Sequence, residues 1–150
     1  MTGWRVGWMV VPESYVDGID RIAQNIFLAA PTISQYAAIT ALQEDTQVEH
    51  DRRRDEFRQR RDFLLPALKQ IGFDIAVEPQ GAFYIYANCE QFTDDSFSWV
   101  KQMLDEQGVA ITPGIDFGDH QANLHCRFAY TQSLPVLEQA VDKIAAFVRR

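Results

Sequence analysis

The sequence predicts an α/β fold in which helices pack over a sheet, and three observations lead to that class. A continuous apolar run over residues 8–11 ends at Pro12, which is typical of a strand buried on both faces of a parallel sheet. Several segments repeat apolar residues at helical spacing, and others alternate as strands do. From residue 47 onward the order is helix, strand, strand, helix, strand, strand, helix, which favours a small α/β sandwich.

Two helices are predicted in the first part of the chain. Ser14 is a suitable N-cap for the first helix, whose apolar side chains recur on one face until Pro31 stops it. Thr32 and Gln35 have the spacing of a capping box, so we expect them to open a second helix that runs through Leu42.

A third, longer helix is predicted where Thr46 and Glu49 repeat the capping-box spacing. It ends before Gly72, a residue that accepts the left-handed backbone found after helices. Pro66 lies inside it and is expected to kink it, because proline removes a hydrogen bond and crowds the preceding turn. The arginines at 52–61 interleave with acidic residues, which predicts a salt-bridged, solvated helix face and not a nucleic-acid surface.

The remainder of the chain predicts four strands and two helices. In chain order these are a strand over 73–77, a strand over 82–87, a helix from Asp94 or Asp95 to Gln107, a strand over 109–112, a strand over 124–130 and a helix capped by Ser133.

Composition restricts the classes of partner that the chain can have. The 150 residues are 47% hydrophobic and carry a net charge of −7, which argues against nucleic acid or an anionic membrane as a partner. No apolar run approaches the roughly 20 residues that cross a bilayer, and no signal peptide opens the sequence. Cys89 and Cys126 lie in apolar runs without a CxxC spacing, so we expect buried free thiols and a cytoplasmic location.

The run over residues 8–11 also bears on domain organisation. A sheet of one strand is not stable, and nothing earlier in the sequence supplies its neighbours. We therefore interpret residues 1–46 as the remnant of a larger domain and residues 47–150 as a second, smaller domain. On this interpretation the chain is the C-terminal part of a longer protein.

Arg5 and Arg127 are the candidate binding residues. Each lies in or beside a strand-like run without an acidic neighbour, and a guanidinium keeps its charge when it is buried. One interpretation is an intramolecular partner or an exposed side chain. The other is that each arginine grips an anionic ligand, because the planar fork matches the oxygens of a carboxylate or phosphate.

Four motifs resemble the C-terminal signatures of the class I/II aminotransferases, which are fold-type-I enzymes that use pyridoxal phosphate. They follow one another in the family's order: the Thr-Gly-Trp-Arg-Val-Gly-Trp run at 2–8, Pro-Gln-Gly-Ala-Phe-Tyr at 79–84, Thr-Pro-Gly at 112–114 and Arg-Phe-Ala-Tyr at 127–130. The resemblance implies an enzyme of amino-acid metabolism that transfers an amino group between an amino acid and a 2-oxo acid. It also implies a homodimer and makes residues 1–46 part of the cofactor-binding domain.

The same resemblance assigns three residues. Arg5 would hold the cofactor phosphate, Arg127 the α-carboxylate of the substrate, and Phe83 would line the pocket beside Arg127. In the family the Schiff-base lysine precedes the phosphate arginine by a short distance, and counting back from Arg5 passes the first residue. We therefore expect no catalytic residue here and no activity of the isolated chain. The lysines at 69, 101 and 143 sit on amphipathic helices and cannot replace it.

The sequence leaves the reaction and the substrate open. Relatives with the same fold catalyse carbon–sulfur lysis or acyl transfer, and residues 47–150 alone are also compatible with a non-catalytic interaction module. Neither amino-acid specificity nor a metal site is indicated. Asp116, Asp119 and His120 lack the spacing of a metal site, and His50 and His125 have no evident catalytic partner.

Overall fold

The computed structural model describes residues 2–149, and the chain divides into two compact units. The first unit extends to Arg52 and the second begins at Arg53. The division falls inside a long helix, α3 (Glu44–Ile71). The assignment of residues 1–46 to a cofactor-binding domain stays a prediction, and each unit is described by itself.

The first unit contains the two predicted helices. They are α1 (Glu13–Ile26) and α2 (Thr32–Ala41). Neither begins with a side-chain cap, since Pro12 and Pro31 hold the N-cap positions. The carbonyl of each proline instead accepts the first helical hydrogen bond, at 2.9 Å and 3.0 Å. Ser14 and Thr32, the predicted caps, therefore lie inside the first turns of these helices.

The strand predicted over residues 8–11 does not form in the described chain. Trp8 is 78% exposed and Val10 87% exposed, and no other described segment pairs with this run. An apolar run reports a preference for burial, whereas a strand exists only when a neighbour supplies the hydrogen bonds. The second unit, by contrast, forms a sheet of its own.

The second unit is a two-layer α/β sandwich, as the sequence predicts. Its elements after α3 are β1 (Tyr84–Asn88), α4 (Ser96–Gln107), β2 (Thr112–Pro113), 3₁₀ turns over Gly114–Asp116 and Ala122–Leu124, β3 (His125–Ala129) and α5 (Leu134–Val148). The strands are antiparallel in the order β1-β3-β2. Helices α3, α4 and α5 contribute buried side chains to one core, which packs on one face of this sheet.

Three strands form where four were predicted. Residues 73–77 make one isolated bridge, between Asp74 and Asn88, and do not form a continuous ladder with another strand. Phe73 and Ile75 are buried as their alternation predicts, but Val77 is 77% exposed. The segment therefore buries its apolar residues without extending the sheet.

The ends of α4 agree with the sequence. Asp95 is the N-cap, and its side chain accepts a hydrogen bond from the backbone N–H of Ser98 at 3.2 Å. Gly108 ends the helix with φ 65°, a conformation that costs glycine little. Gly72 plays the same part after α3, with φ 120°. None of the helices within residues 2–149 combines the length and apolarity needed to cross a membrane.

Alternation along β1 and β3 separates a core face from a site face. Ile85 and Phe128 point into the core, where Cys126 is also buried. Tyr86 and Arg127 are register partners on the opposite, more exposed face. The sheet therefore presents a cationic side chain on the face opposite the core of the second unit.

Candidate functional site

Arg127 lies at the centre of the three-stranded sheet, on β3. Its register partner on β2 is Thr112, and its Nη2 donates a hydrogen bond to the Thr112 Oγ1 at 3.1 Å. The pairing on β1 is with Tyr86. A residue on the middle strand is therefore held from both sides by backbone pairing, which sets the direction of its side chain.

Two aromatic rings lie against the guanidinium. Its Cζ is 4.9 Å from the ring centroid of Phe117 and 5.8 Å from that of Tyr84. Tyr84 belongs to β1, and Phe117 follows the turn after β2, so the rings come from both neighbours of β3. Cation–π attraction of this kind restrains an arginine without neutralising its charge.

No described carboxylate pairs with Arg127, and its Nε is buried without a hydrogen-bond partner among the described residues. The guanidinium cannot lose its proton in a protein, so the charge is permanent. Buried polar groups are nearly always satisfied, and an exception calls for an explanation. A half-buried cation with spare donors and no acidic partner has the chemistry of an anion-binding site.

The turn after β2 packs closely against the sheet. A Cβ added at Gly114 would lie 2.3 Å from the backbone oxygen of Ala122 and 2.7 Å from the Tyr86 Oη. Real Cβ contacts are never so short, and only glycine fits. Tyr86 also stacks on His125 at 5.0 Å, and burial raises the pKa of its hydroxyl above the ordinary value. The tyrosine is therefore neutral at physiological pH and adds no charge beside Arg127.

Phe83 lies next to this site, although its contact is with a neighbouring ring. Its ring meets that of Tyr84 edge-on at 5.4 Å, and it is 43% exposed. Tyr84, and not Phe83, faces the guanidinium of Arg127. Alternation explains this, because Tyr84 shares the site face with Tyr86. The role of Phe83 toward a substrate stays a prediction.

Arg5 belongs to the first unit and is exposed. Its backbone has φ 53°, a left-handed conformation that is uncommon for a residue with a side chain. Such conformations are concentrated in constrained and functional segments. The family resemblance predicts that Arg5 binds the cofactor phosphate, and a guanidinium on an exposed residue suits that anion. Its role stays a prediction.

The other polar side chains singled out by the sequence have structural contacts. The arginine-rich face of α3 carries ion pairs between residues three or four apart, such as Arg58 with Asp55 at 3.1 Å, which confirms the salt-bridged face. Lys69 pairs with Glu78 at 2.5 Å, and Lys143 donates to the carbonyl of Gln107.

The last candidates are the possible metal ligands and the two thiols. Within residues 2–149, no three histidine, cysteine or acidic side chains converge as metal ligands would. Cys89 and Cys126 are buried and free, as predicted, with their Sγ atoms 3.6 Å apart. His125 points its Nδ1 at the carbonyl of Gln121, which is a structural contact.

Sequence reasoning missed three residues around Arg127. Tyr84 could have been predicted, because alternation along β1 places it on the same face as Tyr86, the register partner of Arg127. Thr112 belongs to the Thr-Pro-Gly motif at 112–114, but only the strand register shows that it is the partner of Arg127. Phe117 carries no sequence signal, because it follows a 3₁₀ turn that is too short to show a periodic pattern.

Comparison with known proteins identifies the class. The family described as aminotransferase class I and II matches residues 1–144, and the chain belongs to that family. Members of the family use pyridoxal phosphate. The resemblance predicted from the four motifs, and the α/β fold that it implies, are thereby confirmed.

Individual relatives agree with this. The chain is 34% identical over 148 residues to the valine–pyruvate aminotransferase of Mycobacterium tuberculosis, covering 99% of this chain and 38% of that protein. It is 34% identical over 150 residues to the (5-formylfuran-3-yl)methyl phosphate transaminase of Methanocaldococcus jannaschii, covering 100% of this chain and 39% of that protein. The crystal structure of an aminotransferase from Mycobacterium tuberculosis superposes with a TM-score of 0.90 at 34% identity, over 99% of this chain and 38% of that one. The chain thus spans well under half the length of these relatives.

Proposed function

We propose that this chain is the C-terminal part of a pyridoxal-phosphate-dependent aminotransferase, an enzyme that moves an amino group between an amino acid and a 2-oxo acid. The family match over residues 1–144 supports the class. The observation that carries the proposal is Arg127, a permanent cation that contacts Thr112 and two rings and has no acidic partner among residues 2–149. Within the proposal, residues 1–46 belong to the cofactor-binding domain and residues 47–150 form the small domain.

The proposal gives each assigned side chain a binding task. Arg127 holds the carboxylate that every amino acid and 2-oxo acid shares, which explains how one site accepts both partners of the reaction. Arg5 holds the phosphate of the cofactor. Phe83, partly exposed beside the aromatic ring of Tyr84, lines the substrate side of the pocket.

The division of labour follows from the chemistry of arginine. When bound, pyridoxal phosphate supplies the electron-withdrawing ring that the chemistry at the substrate α-carbon requires. A guanidinium keeps its charge in a protein, so Arg5 and Arg127 bind and orient anions and cannot shuttle a proton. That task needs an amine of tunable pKa, which we place in a part of the protein outside this chain. We therefore propose that the 150 residues alone are inactive.

Assembly and location belong to the same proposal. Trp8, Val10 and Leu28 are 78%, 87% and 82% exposed, and apolar surface of this kind needs cover. We propose that the rest of the polypeptide and a second copy provide it, giving a homodimer. The two free buried thiols, Cys89 and Cys126, suit a reducing compartment, so we propose that the protein works in the cytoplasm.

The test begins with the reading frame that contains this chain. We expect the codons before Met1 to encode, in frame, a Ser-Lys run and the remainder of an aminotransferase. The longer polypeptide should retain pyridoxal phosphate through dialysis, seen as visible absorbance, and should transfer an amino group from amino acids to 2-oxo acids. The 150 residues alone should do neither. A frame without that run, or cofactor-dependent transfer by the short chain, would contradict the proposal.

A further inference from the structure

We propose that Thr112 and Phe117 are positioning residues for Arg127, so that the turn after β2 orients the guanidinium for its carboxylate ligand. This inference rests on the proposed function, because it assumes that Arg127 is the carboxylate-binding group. It adds two residues that act through Arg127 and do not themselves bind the substrate.

The pairing of β2 with β3 places the hydroxyl of Thr112 beside Arg127. Thr112 and Arg127 are direct register partners on antiparallel β2 and β3, and such partners lie side by side on one face. The Arg127 Nη2 donates to Thr112 Oγ1 at 3.1 Å. A threonine hydroxyl is an uncharged acceptor, so it orients the cation without cancelling the charge that an anion needs.

The donor count favours the same conclusion. A guanidinium carries five N–H donors, and described residues accept a hydrogen bond from Nη2 alone. An arginine with a structural role is usually paired with a carboxylate that uses its fork. Here the protein restrains the group through one neutral acceptor and leaves donors for a ligand.

Phe117 supplies the second restraint. Its ring centroid lies 4.9 Å from the Arg127 Cζ, closer than the 5.8 Å of Tyr84. Phe117 is 49% exposed and is not a core residue, and its ring contacts the guanidinium on the site face of the sheet. The Tyr86 ring meets it edge-on at 6.1 Å and limits its movement.

Gly114 lies between these two restraints in the same turn. A Cβ added at Gly114 would lie 2.9 Å from the backbone oxygen of His125, so the turn packs directly against the beginning of β3. The backbone N–H of Phe117 donates to the Gly114 carbonyl at 2.9 Å, which links the ring to the closely packed glycine. We therefore infer that the turn acts as a unit on Arg127, through the Thr112 hydroxyl and the Phe117 ring.

The test in the longer enzyme uses Thr112→Val, which keeps the shape and removes the acceptor, and Thr112→Ser, which restores the hydroxyl. We expect Thr112→Val to raise KM for the 2-oxo acid and for the amino donor about three- to tenfold, the size of one partly exposed hydrogen bond. The kcat at saturation and the retained cofactor should stay within about twofold, and Thr112→Ser should return KM toward wild type. Thr131→Val, at an exposed threonine after β3, is the matched control.

A second measurement uses the 150-residue chain and needs no activity. The Nε–H resonance of Arg127, assigned by its loss in Arg127→Lys, should be shifted by the ring current of Phe117. Phe117→Leu and Thr112→Val should each move it toward the position of exposed arginines, whereas Thr112→Ser should not. A thermal melt of each variant shows whether the fold survives.

Each outcome decides one question. If Arg127→Ala leaves KM unchanged, the proposed function fails, and the resonance measurement still tests the positioning. If Arg127→Ala raises KM while Thr112→Val matches wild type, only the present inference is overturned. Equal losses in Thr112→Val and Thr112→Ser, a loss confined to kcat, or an unmoved resonance in both Thr112→Val and Phe117→Leu would also overturn it.

Discussion

Replacing Arg127 by alanine in the longer enzyme perturbs the substrate site with little expected damage to the fold. The guanidinium has one neutral acceptor, Thr112 at 3.1 Å, and contacts the rings of Phe117 and Tyr84. No described carboxylate is left unpaired when it is removed, and the unsatisfied Nε disappears with it. We therefore expect the free energy of unfolding to change by about 1 kcal/mol or less.

The effect on substrate binding should be far larger. A carboxylate held by two parallel charge-assisted bonds gains about 1.5–3 kcal/mol from each. Arg127 is only half-buried, so water competes, and the lower limit of the sum, about 3 kcal/mol, is the appropriate choice. Because about 1.4 kcal/mol corresponds to a tenfold change, KM for amino acid and 2-oxo acid alike should rise roughly 150-fold.

The assay measures KM and kcat for a panel of amino acids, 2-oxo acids and amines that lack a carboxylate, with cofactor retention followed in parallel. Arg127→Lys should recover only part of the loss, since lysine keeps the charge but not the fork. Arg58→Ala, at an arginine that pairs with Asp55 on the surface of α3, is the matched control and should resemble wild type. If the carboxylate-free amines lose as much as the amino acids, Arg127 does not read the carboxylate.

Three further predictions concern other parts of the chain. Arg5→Ala in the longer enzyme should weaken retention of the cofactor through dialysis, measured by visible absorbance, because one phosphate donor is lost; unchanged occupancy contradicts the phosphate role. Gly114→Ala should destabilise the 150-residue chain by about 1–3 kcal/mol in urea unfolding, since its Cβ would meet the Ala122 oxygen at 2.3 Å. An unchanged midpoint would mean that the turn is loosely packed. Burial raises the pKa of Tyr130 above its ordinary value of 10.0, so the folded state holds that proton more tightly than the unfolded chain. The contribution of Tyr130 to the free energy of unfolding is present below pH 10 and is lost as pH rises through the higher folded pKa. Tyr130→Phe should therefore lose less stability with rising pH in alkaline unfolding measurements. Equal slopes would contradict the shift.

Helices were the elements that the sequence determined best. The hydrogen bonds of α4 join residues four apart, and its end signals, Asp95 and Gly108, act on neighbouring backbone groups. The whole element is therefore encoded locally. The caps proposed at Ser14 and Thr32 failed for a local reason too, because a preceding proline carbonyl already accepts the first helical bond.

Strands depended on distant partners. Residues 8–11 and 73–77 have strand-like patterns, yet the first pairs with no described segment and the second forms one bridge. An apolar pattern indicates which side chains prefer burial, whereas a hydrogen-bonded ladder needs a second chain segment at the right distance. That information is not contained in either segment.

The candidate site combines both kinds of information. The sequence alone marked Arg127, because a permanent cation in an apolar strand without an acidic neighbour calls for an anion. Tertiary structure brought Thr112, Tyr84 and Phe117 to it, from two other strands and from the end of the turn that follows β2. Charge is a property of one residue and can be seen in the sequence, but the direction of a guanidinium is decided by the residues that surround it in the fold.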